Sequence, residues 1–176
     1  MNRRTRLLGR VGAVFLIVAI GSVVPGRAEA AGPVYRLRNW AYDQCMASPE
    51  LRLNVVLRIL PCSGTGAGYG KWNLEPKYYR SGNSYRMHNV DTHHCAEVNQ
   101  GTAFPGELVD DFTCNWQQEE TWERLPYQIG WDTYYQFRHA GTNLCLDTVG
   151  GPGSQLMQWP CDVHSAAQLW KVEQVG

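Results

Sequence analysis

The sequence predicts an all-β domain built from three copies of one short unit. Three tyrosines stand 50 residues apart, each has a cysteine ten residues later, and a second cysteine and then a tryptophan complete every copy. A frame that recurs at a fixed period indicates a repeat architecture, in which every copy folds into the same supersecondary unit. The landmarks are Tyr35, Cys45, Cys62 and Trp72, then Tyr85, Cys95, Cys114 and Trp122, then Tyr135, Cys145, Cys161 and Trp170.

Each copy is predicted to form four short strands joined by turns. The first strand follows the tyrosine, as in Tyr85-Arg-Met-His-Asn89, where apolar and polar side chains alternate with the period of a half-buried strand. The second strand carries the first cysteine, the third leads to the second cysteine, and the fourth holds the tryptophan. Third strands are expected at 55–60, 107–112 and 155–159, and fourth strands at 71–75, 121–125 and 169–173. We expect Pro76 and Pro126 to end the first two of these fourth strands.

Four strands in each of three copies give about twelve strands, and no window of the sequence supports a long amphipathic helix. A β-propeller of three such units would fall below the usual number of about four to eight blades. We therefore expect a threefold barrel with a hairpin cap, which buries one tryptophan and one aliphatic cluster from each copy.

The first thirty residues are predicted to be a secretory signal peptide. Residues 3–10 contain four arginines, an apolar run covers 11–24, and Ala28-Glu-Ala30 is a small-x-small cleavage site. The apolar run of about fourteen residues is too short to cross roughly 30 Å of hydrocarbon as a helix. We expect cleavage after Ala30 and a secreted, extracellular domain over residues 31–176.

Without its first thirty residues the chain is mildly acidic, with eleven basic and fifteen acidic side chains and a net charge of −4. Nucleic-acid binding depends on a positive surface, so no nucleic-acid partner is expected. The same charge argues against an anionic membrane as the main partner, and no membrane insertion is expected. The remaining 146 residues suit one domain with a sizeable core.

All six cysteines lie after the predicted cleavage site, and an even number in a secreted protein indicates disulfides. Six cysteines allow fifteen pairings, but the repeat favours one bridge within each copy. Each bridge would contribute about 3 kcal/mol in the chain-entropy account. A zinc site is the competing interpretation, and no pair has the close Cys-x-x-Cys spacing that would support it. The expected bridges are Cys45 with Cys62, Cys95 with Cys114, and Cys145 with Cys161.

Enzyme motifs are missing from the sequence, which contains neither Gly-x-Ser-x-Gly nor His-Glu-x-x-His. The glycine-rich segment 64–71 departs from a phosphate-binding loop because Thr65 stands at a required glycine position. His93 and His94 are a weak metal signal, since adjacent strand residues point to opposite faces. We expect no catalysis, no cofactor and no metal.

The third copy contains Cys145-Leu-Asp147, Gln158-Trp-Pro-Cys161 and Gln168-Leu-Trp170. On these residues the chain resembles a ricin B-type lectin domain, whose Gln-x-Trp signature is the last of the three. The other copies keep the tryptophan without the glutamine, in Gly70-Lys-Trp72 and Glu120-Thr-Trp122. The resemblance covers residues 34–175 and implies a β-trefoil. The implied repeats are at about 34–83, 84–133 and 134–176.

The resemblance also implies a sugar site in the third copy. Hydroxyl groups need a carboxylate or amide, and the C–H face of a sugar needs an exposed ring. The family's pair is an acid shortly after the first cysteine and an aromatic residue two before the second, here Asp147 and Trp159. Gln168 of the signature is the third residue of this site.

Two further hydrogen-bonding positions of the family are changed in the third copy. Ala167 stands where an asparagine usually precedes the signature, and Met157 replaces a polar residue two before the aromatic one. His164 in the same loop is a candidate substitute for the lost amide.

The second copy is a candidate second site, with Glu97 and Phe112 at the positions of the acid and the ring. Its loop is longer, and Glu119 takes the position of the missing asparagine. The first copy has Ala47 and Leu60 instead, so no sugar site of this kind is expected there.

Four tryptophans have a predicted role. Trp72, Trp122 and Trp170, which close the copies, are expected to recur because they pack the core. Trp159 differs, because Leu60 fills its place in the first copy and the fold does not require an indole there. We therefore expect Trp159 to contact ligand.

These features predict a secreted, non-catalytic carbohydrate-binding protein for galactose- or N-acetylgalactosamine-type glycans, with the third copy as its principal site. One alternative is a trefoil with decayed sugar sites that binds a secreted partner protein, as a subunit of a toxin or hydrolase complex. A protease inhibitor on the same fold is a third hypothesis. Ala167 and Met157 favour the alternatives, whereas Asp147 with Trp159 favours the lectin.

Overall fold

Residues 32–77 and 83–176 are described by the structure, which is a computed structural model. The predicted signal peptide over residues 1–30 lies outside the described residues and stays a prediction. Within the two described ranges, no helix is long and apolar enough to cross a membrane.

Thirteen strands and three short 3-10 turns occur in the described ranges, and this all-β content confirms the predicted class. The strands are β1 (Val34–Asn39), β2 (Cys45–Ala47), β3 (Val55–Val56), β4 (Arg58–Leu60), β5 (Trp72–Lys77), β6 (Ser84–Asn89), β7 (Cys95–Val98), β8 (Val109–Phe112), β9 (Thr121–Ile129), β10 (Asp132–His139), β11 (Cys145–Thr148), β12 (Leu156–Trp159) and β13 (Trp170–Gln174). The 3-10 turns are Asn99–Gly101, Gln118–Glu120 and Ala166–Gln168.

Six strands pair in a closed ring and form the barrel. The order around the ring is β1, β5, β6, β9, β10 and β13, and β13 pairs back with β1. Three hairpins, β2–β4, β7–β8 and β11–β12, form the cap, one from each repeat. This closure by three equivalent units is a β-trefoil, and it confirms the predicted threefold barrel with a hairpin cap.

The prediction that proline ends the fourth strands is wrong. β5 continues through Pro76 to Lys77, and β9 continues through Pro126 to Ile129. At Pro126 the strand β9 pairs only with β10, since its contacts with β6 end at Glu123. A proline without a backbone N–H is tolerated where one edge of a strand is unpaired, so the chain stays extended.

The first repeat has five strands rather than four. Its third strand is divided at Leu57, whose N–H donates to Val109 O and whose carbonyl accepts from Leu156 N, at 2.9 and 2.8 Å. β3 pairs with the second repeat, whereas β4 pairs with β2 of its own repeat. The break marks the residue at which the chain changes its pairing partner.

The three disulfides join cysteines of the same repeat and confirm the predicted pairing. They are Cys45–Cys62, Cys95–Cys114 and Cys145–Cys161, with Cα–Cα distances of 4.9, 5.1 and 5.0 Å. Each bridge fastens the first strand of a cap hairpin to the segment that follows the hairpin's last strand.

The three repeat-closing tryptophans lie in the core, as predicted. Trp72, Trp122 and Trp170 have no exposed surface. Each indole N–H donates to the backbone carbonyl of the residue after the first cysteine of its own repeat. The acceptors are Met46, Ala96 and Leu146, at 3.0, 2.9 and 3.3 Å. Buried indoles need a hydrogen-bond partner, and each repeat supplies its own.

Candidate functional site

The hairpin of the third repeat brings the predicted acid and indole onto one face. Cys145 lies opposite Trp159, and Asp147 lies opposite Met157. Residues two apart on a strand point to the same face, so Asp147 and Trp159 are diagonal neighbours. Diagonal positions are about 7–8 Å apart, within reach of a large aromatic side chain.

Hydrogen bonds fix the carboxylate of Asp147. Its Oδ2 accepts from Gln168 Nε2 at 2.8 Å, and its Oδ1 accepts from the N–H of Thr148 at 2.6 Å. Burial raises the pKa of the Asp147 carboxyl, and the bonds from Gln168 and Thr148 oppose this rise. Because a carboxylate has about four lone-pair positions, Asp147 keeps acceptor capacity for a ligand.

Gln168 orients Asp147 and does not face solvent, since its side chain is only 1% exposed. Its Nε2 donates to Asp147 and to Pro160 O, the latter at 2.9 Å. Its Oε1 accepts from the N–H of Asp162 at 2.8 Å and from Gln136 Nε2 at 3.0 Å. Because its hydrogen bonds are all made inside the protein, this amide fixes the orientation of the Asp147 carboxylate.

Trp159 is 44% exposed, unlike the core tryptophans. Its ring lies against Gly106 of the second repeat, where an added Cβ would come within 3.4 Å of the indole. Gly106 has φ +92° and donates its N–H to Gln158 O at 2.8 Å. This backbone conformation favours glycine, so a neighbouring repeat supports one side of the indole.

At the two changed positions of the third repeat, the side chains near Asp147 are less polar than those usual in the family. Met157 lies directly opposite it and adds an apolar side chain. Ala167 contributes a backbone carbonyl that accepts a hydrogen bond from the first repeat. His164 is exposed in the loop after β12, and its N–H donates to Asp162 Oδ1 at 2.9 Å. A ligand-binding role for His164 stays a prediction.

The second-repeat hairpin has the same arrangement, with Glu97 and Phe112 on one face. Cys95 lies opposite Phe112, and Glu97 lies opposite Asp110. Glu97, Asp110 and Phe112 line a pocket of about 300 Å³ together with Asn54 and Asn99. In the ranges that the structure describes, no group of three His, Cys, Asp or Glu residues is placed to hold a metal ion.

Sequence reasoning missed Asp110, Asn99 and Asn54 as pocket residues. Asp110 was detectable, because it stands two residues before Phe112, as Met157 stands two before Trp159. It restores a polar side chain at the position that Met157 occupies in the third repeat. Asn54 was not detectable from the repeat alone, since it belongs to the first repeat and reaches the pocket through the β3–β8 pairing.

Glu120 takes the place of the signature glutamine in the second repeat. It is fully buried, and its carboxylate accepts from the N–H of Asn115 and, at 3.0 Å, of Trp116. Arg86 lies 4.0 Å from it, at the position that Gln136 has in the third repeat. A carboxylate cannot donate, so Glu97 lacks the equivalent of the bond from Gln168 to Asp147.

Burial, and then the charges of Glu120, Glu119 and Asp110, together raise the pKa of Glu97 from 4.5 to about 7. The folded state therefore holds a proton on Glu97 between pH 4.5 and about 7 that the unfolded chain has released. Stability should fall as pH rises through this window, because the unfolded state binds fewer protons there.

Glu97→Gln should remove this part of the pH dependence. At pH 8 the variant should be more stable than wild type by about 1 kcal/mol, a value reduced from the full shift because Glu97 is only half-buried and screened by water. Thermal unfolding of both proteins at pH 5 and pH 8 measures the difference. Glu50→Gln is the control, since Glu50 is an exposed acid paired with Arg52. A wild type and a Glu97→Gln variant with parallel pH profiles would contradict the prediction.

The first repeat presents neither acid nor ring at the equivalent face. Ala47 is fully buried and lies opposite Arg58, and Leu60 takes the ring position. Arg58 Nη1 donates to Gly153 O of the third repeat at 2.8 Å. This guanidinium is committed to a contact between repeats, and the absence of a sugar site of this kind in the first repeat stays a prediction.

The closed barrel with its three capping hairpins defines the chain as a β-trefoil, and the third hairpin carries the acid and the exposed ring at which the sequence predicts sugar binding. The family model of the ricin-type beta-trefoil lectin domain matches residues 83–176, which is more than half of the chain. The chain belongs to this family, and membership points to carbohydrate binding. No curated protein matches the chain in sequence.

Solved structures share the fold at low sequence identity. The designed threefold-symmetric protein ThreeFoil is 15% identical with a TM-score of 0.69, and the match covers 81% of this chain and 99% of that one. An exo-β-1,3-galactanase from Clostridium thermocellum is 19% identical with a TM-score of 0.69, covering 81% and 30%. Polyporus squamosus lectin, bound to a human-type influenza-binding epitope, is 16% identical with a TM-score of 0.63, covering 81% and 49%. This chain thus spans less than half of the galactanase and lectin chains.

Proposed function

We propose that the protein is a secreted, non-catalytic lectin that binds galactose- or N-acetylgalactosamine-type glycans through the β11–β12 hairpin. The observation that carries the proposal is the shared face of Asp147 and Trp159, with the carboxylate fixed by Gln168. The acid accepts hydrogen bonds from sugar hydroxyls, and the indole packs against the C–H face of the ring. The choice of galactose- or N-acetylgalactosamine-type glycans rests on the family resemblance.

Several features support the non-catalytic and secreted parts of this proposal. The site has one carboxylate held by a neutral amide, whereas glycoside hydrolysis ordinarily uses a pair of carboxyl groups across the scissile bond. Three disulfides suit an oxidising compartment. We also propose that the protein is exported and that its signal peptide is cleaved after Ala30.

A glycan array with the exported protein tests the function. We expect binding to galactose- or N-acetylgalactosamine-terminated glycans, and loss of that signal in Asp147→Ala and in Trp159→Ala. Dense display is needed because a shallow single site binds weakly and gains from multivalency. The exported protein should begin at Ala31, and a retained Met1 would contradict the export step.

Trp131→Ala is the matched control, because Trp131 is fully exposed at the tip of the β9–β10 hairpin, away from both candidate sites. It should bind like wild type. Trp131→Ala and Trp159→Ala should keep the wild-type melting temperature within about 3 °C, as substitutions of exposed residues do. A wild type that binds nothing across a broad array would overturn the lectin proposal and favour the protein-interaction module.

A further inference from the structure

The pocket of the second repeat is acidic and lacks basic lining residues. Glu97 and Asp110 lie directly opposite each other on paired strands, and Asn54, Asn99 and Phe112 complete the lining. Like charges at directly opposed positions destabilise a sheet. This pair therefore needs a proton or a cation between its carboxyl groups.

Both acids carry a buried oxygen without a donor. Asp110 is 3% exposed, and its Oδ1 has no hydrogen-bond partner among the residues described; the same holds for Glu97 Oε2. Buried polar atoms are ordinarily hydrogen-bonded, and each exception requires an explanation. Two orphaned acceptors in one pocket indicate a ligand that supplies donors.

The surrounding charges strengthen the demand for a cation. Burial is the largest cause of the raised pKa of both acids; the charges of Glu120 and Glu119 add to it at Glu97, and the charge of Glu107 adds to it at Asp110. The nearby basic groups are committed elsewhere. Arg86 pairs with Glu75, and Lys77 Nζ donates to backbone carbonyls of residues 116 and 117.

We propose that this pocket binds a sugar that carries an unsubstituted, protonated amino group, such as a 2-amino-2-deoxyhexose. The inference rests on the proposed lectin function and names the ligand class of its second site. An ammonium has three donors and no acceptor, which complements the two orphaned carboxyl oxygens.

The other lining groups fit a single sugar residue. Phe112 offers a ring face to the C–H groups of the sugar, as Trp159 does in the third repeat. Asn54 and Asn99 bring amides that both donate to and accept from hydroxyls. A volume of about 300 Å³ lies at the lower end of the range for small-molecule sites. An N-acetyl group would remove the cation and place an uncharged amide against two carboxyl groups.

Isothermal titration with glucosamine and with N-acetylglucosamine tests the inference. At pH 7.5 we expect glucosamine to bind the full-length exported protein and N-acetylglucosamine to bind about tenfold more weakly or not at all. Glu97→Gln and Asp110→Asn should each weaken glucosamine binding by about tenfold, since each removes a charge-assisted hydrogen bond. Glu50→Gln lowers the net negative charge equally at an exposed residue that does not line the pocket, and it should leave binding within about twofold of wild type.

Asp147→Ala separates this inference from the proposed function. Its glucosamine binding should match wild type, because Asp147 belongs to another hairpin. A wild type that fails on the array but still binds glucosamine would overturn the third-repeat site alone. Equal binding of the two sugars, or no glucosamine binding by wild type, would overturn the inference. Tight binding of Ca²⁺ or of free lysine that displaces glucosamine would also overturn it.

Discussion

Gln168→Leu should lower the free energy of unfolding by about 3–5 kcal/mol and abolish sugar binding at the third repeat. The substitution removes a buried amide, so Asp147 Oδ2, the Pro160 carbonyl and the N–H of Asp162 lose their hydrogen bonds to it. Each buried group left without a partner costs about 1–3 kcal/mol, and more when it is charged. Urea unfolding measures the stability, and titration with the glycan found on the array measures binding.

Gln168→Glu separates orientation from stability. The glutamate keeps acceptors for Asp162 and Gln136, as Glu120 keeps them for Asn115 and Trp116 in the second repeat. It replaces the donor to Asp147 by a second carboxylate, so the Asp147 pKa should rise above its wild-type value. We expect a smaller loss of stability than in Gln168→Leu and an equal loss of binding. Gln128→Leu, at an exposed glutamine, is the control. Wild-type binding by Gln168→Glu would show that the amide is only structural.

The threefold frame made the barrel and its crosslinks predictable, because both follow from features that each repeat contains. Strand ends were less predictable. Pro76 and Pro126 remain within strands because their outer edges lack a partner, and pairing on a given edge depends on tertiary closure. Leu57 interrupts a strand for the same kind of reason, since its partners are Val109 and Leu156 of the other two repeats.

The candidate site was predictable where its residues stand at fixed offsets from the cysteines. Register alone puts Asp147 beside Trp159 on one face and Glu97 beside Phe112 on another. The orienting role of Gln168 was not visible in the sequence, because it depends on burial. Contributions from neighbouring repeats were hidden as well, since Gly106 and Asn54 reach the sites only through the packing of the cap.

Trp170→Ala should lower the free energy of unfolding by about 3–5 kcal/mol, as expected for truncation of a buried tryptophan. Trp170 is fully buried among the core side chains and donates to Leu146 O at 3.3 Å. Trp159→Ala, in the same repeat, should change stability by less than about 1 kcal/mol because the indole is 44% exposed. Urea unfolding of the two variants therefore tests whether a tryptophan assigned to core packing stabilises the fold more than one assigned to ligand contact.

Trp170→Phe provides an intermediate that should fold even if the alanine variant does not. It keeps an aromatic ring in the core but loses the indole N–H, which leaves the Leu146 carbonyl without this donor. We expect a loss of about 1–3 kcal/mol from the unpaired carbonyl and the reduced ring volume. The order of stability should be Trp159→Ala, Trp170→Phe and Trp170→Ala, from highest to lowest. If Trp159→Ala were as unstable as Trp170→Ala, the indole of Trp159 would be a packing residue, and its assignment to ligand binding would fail.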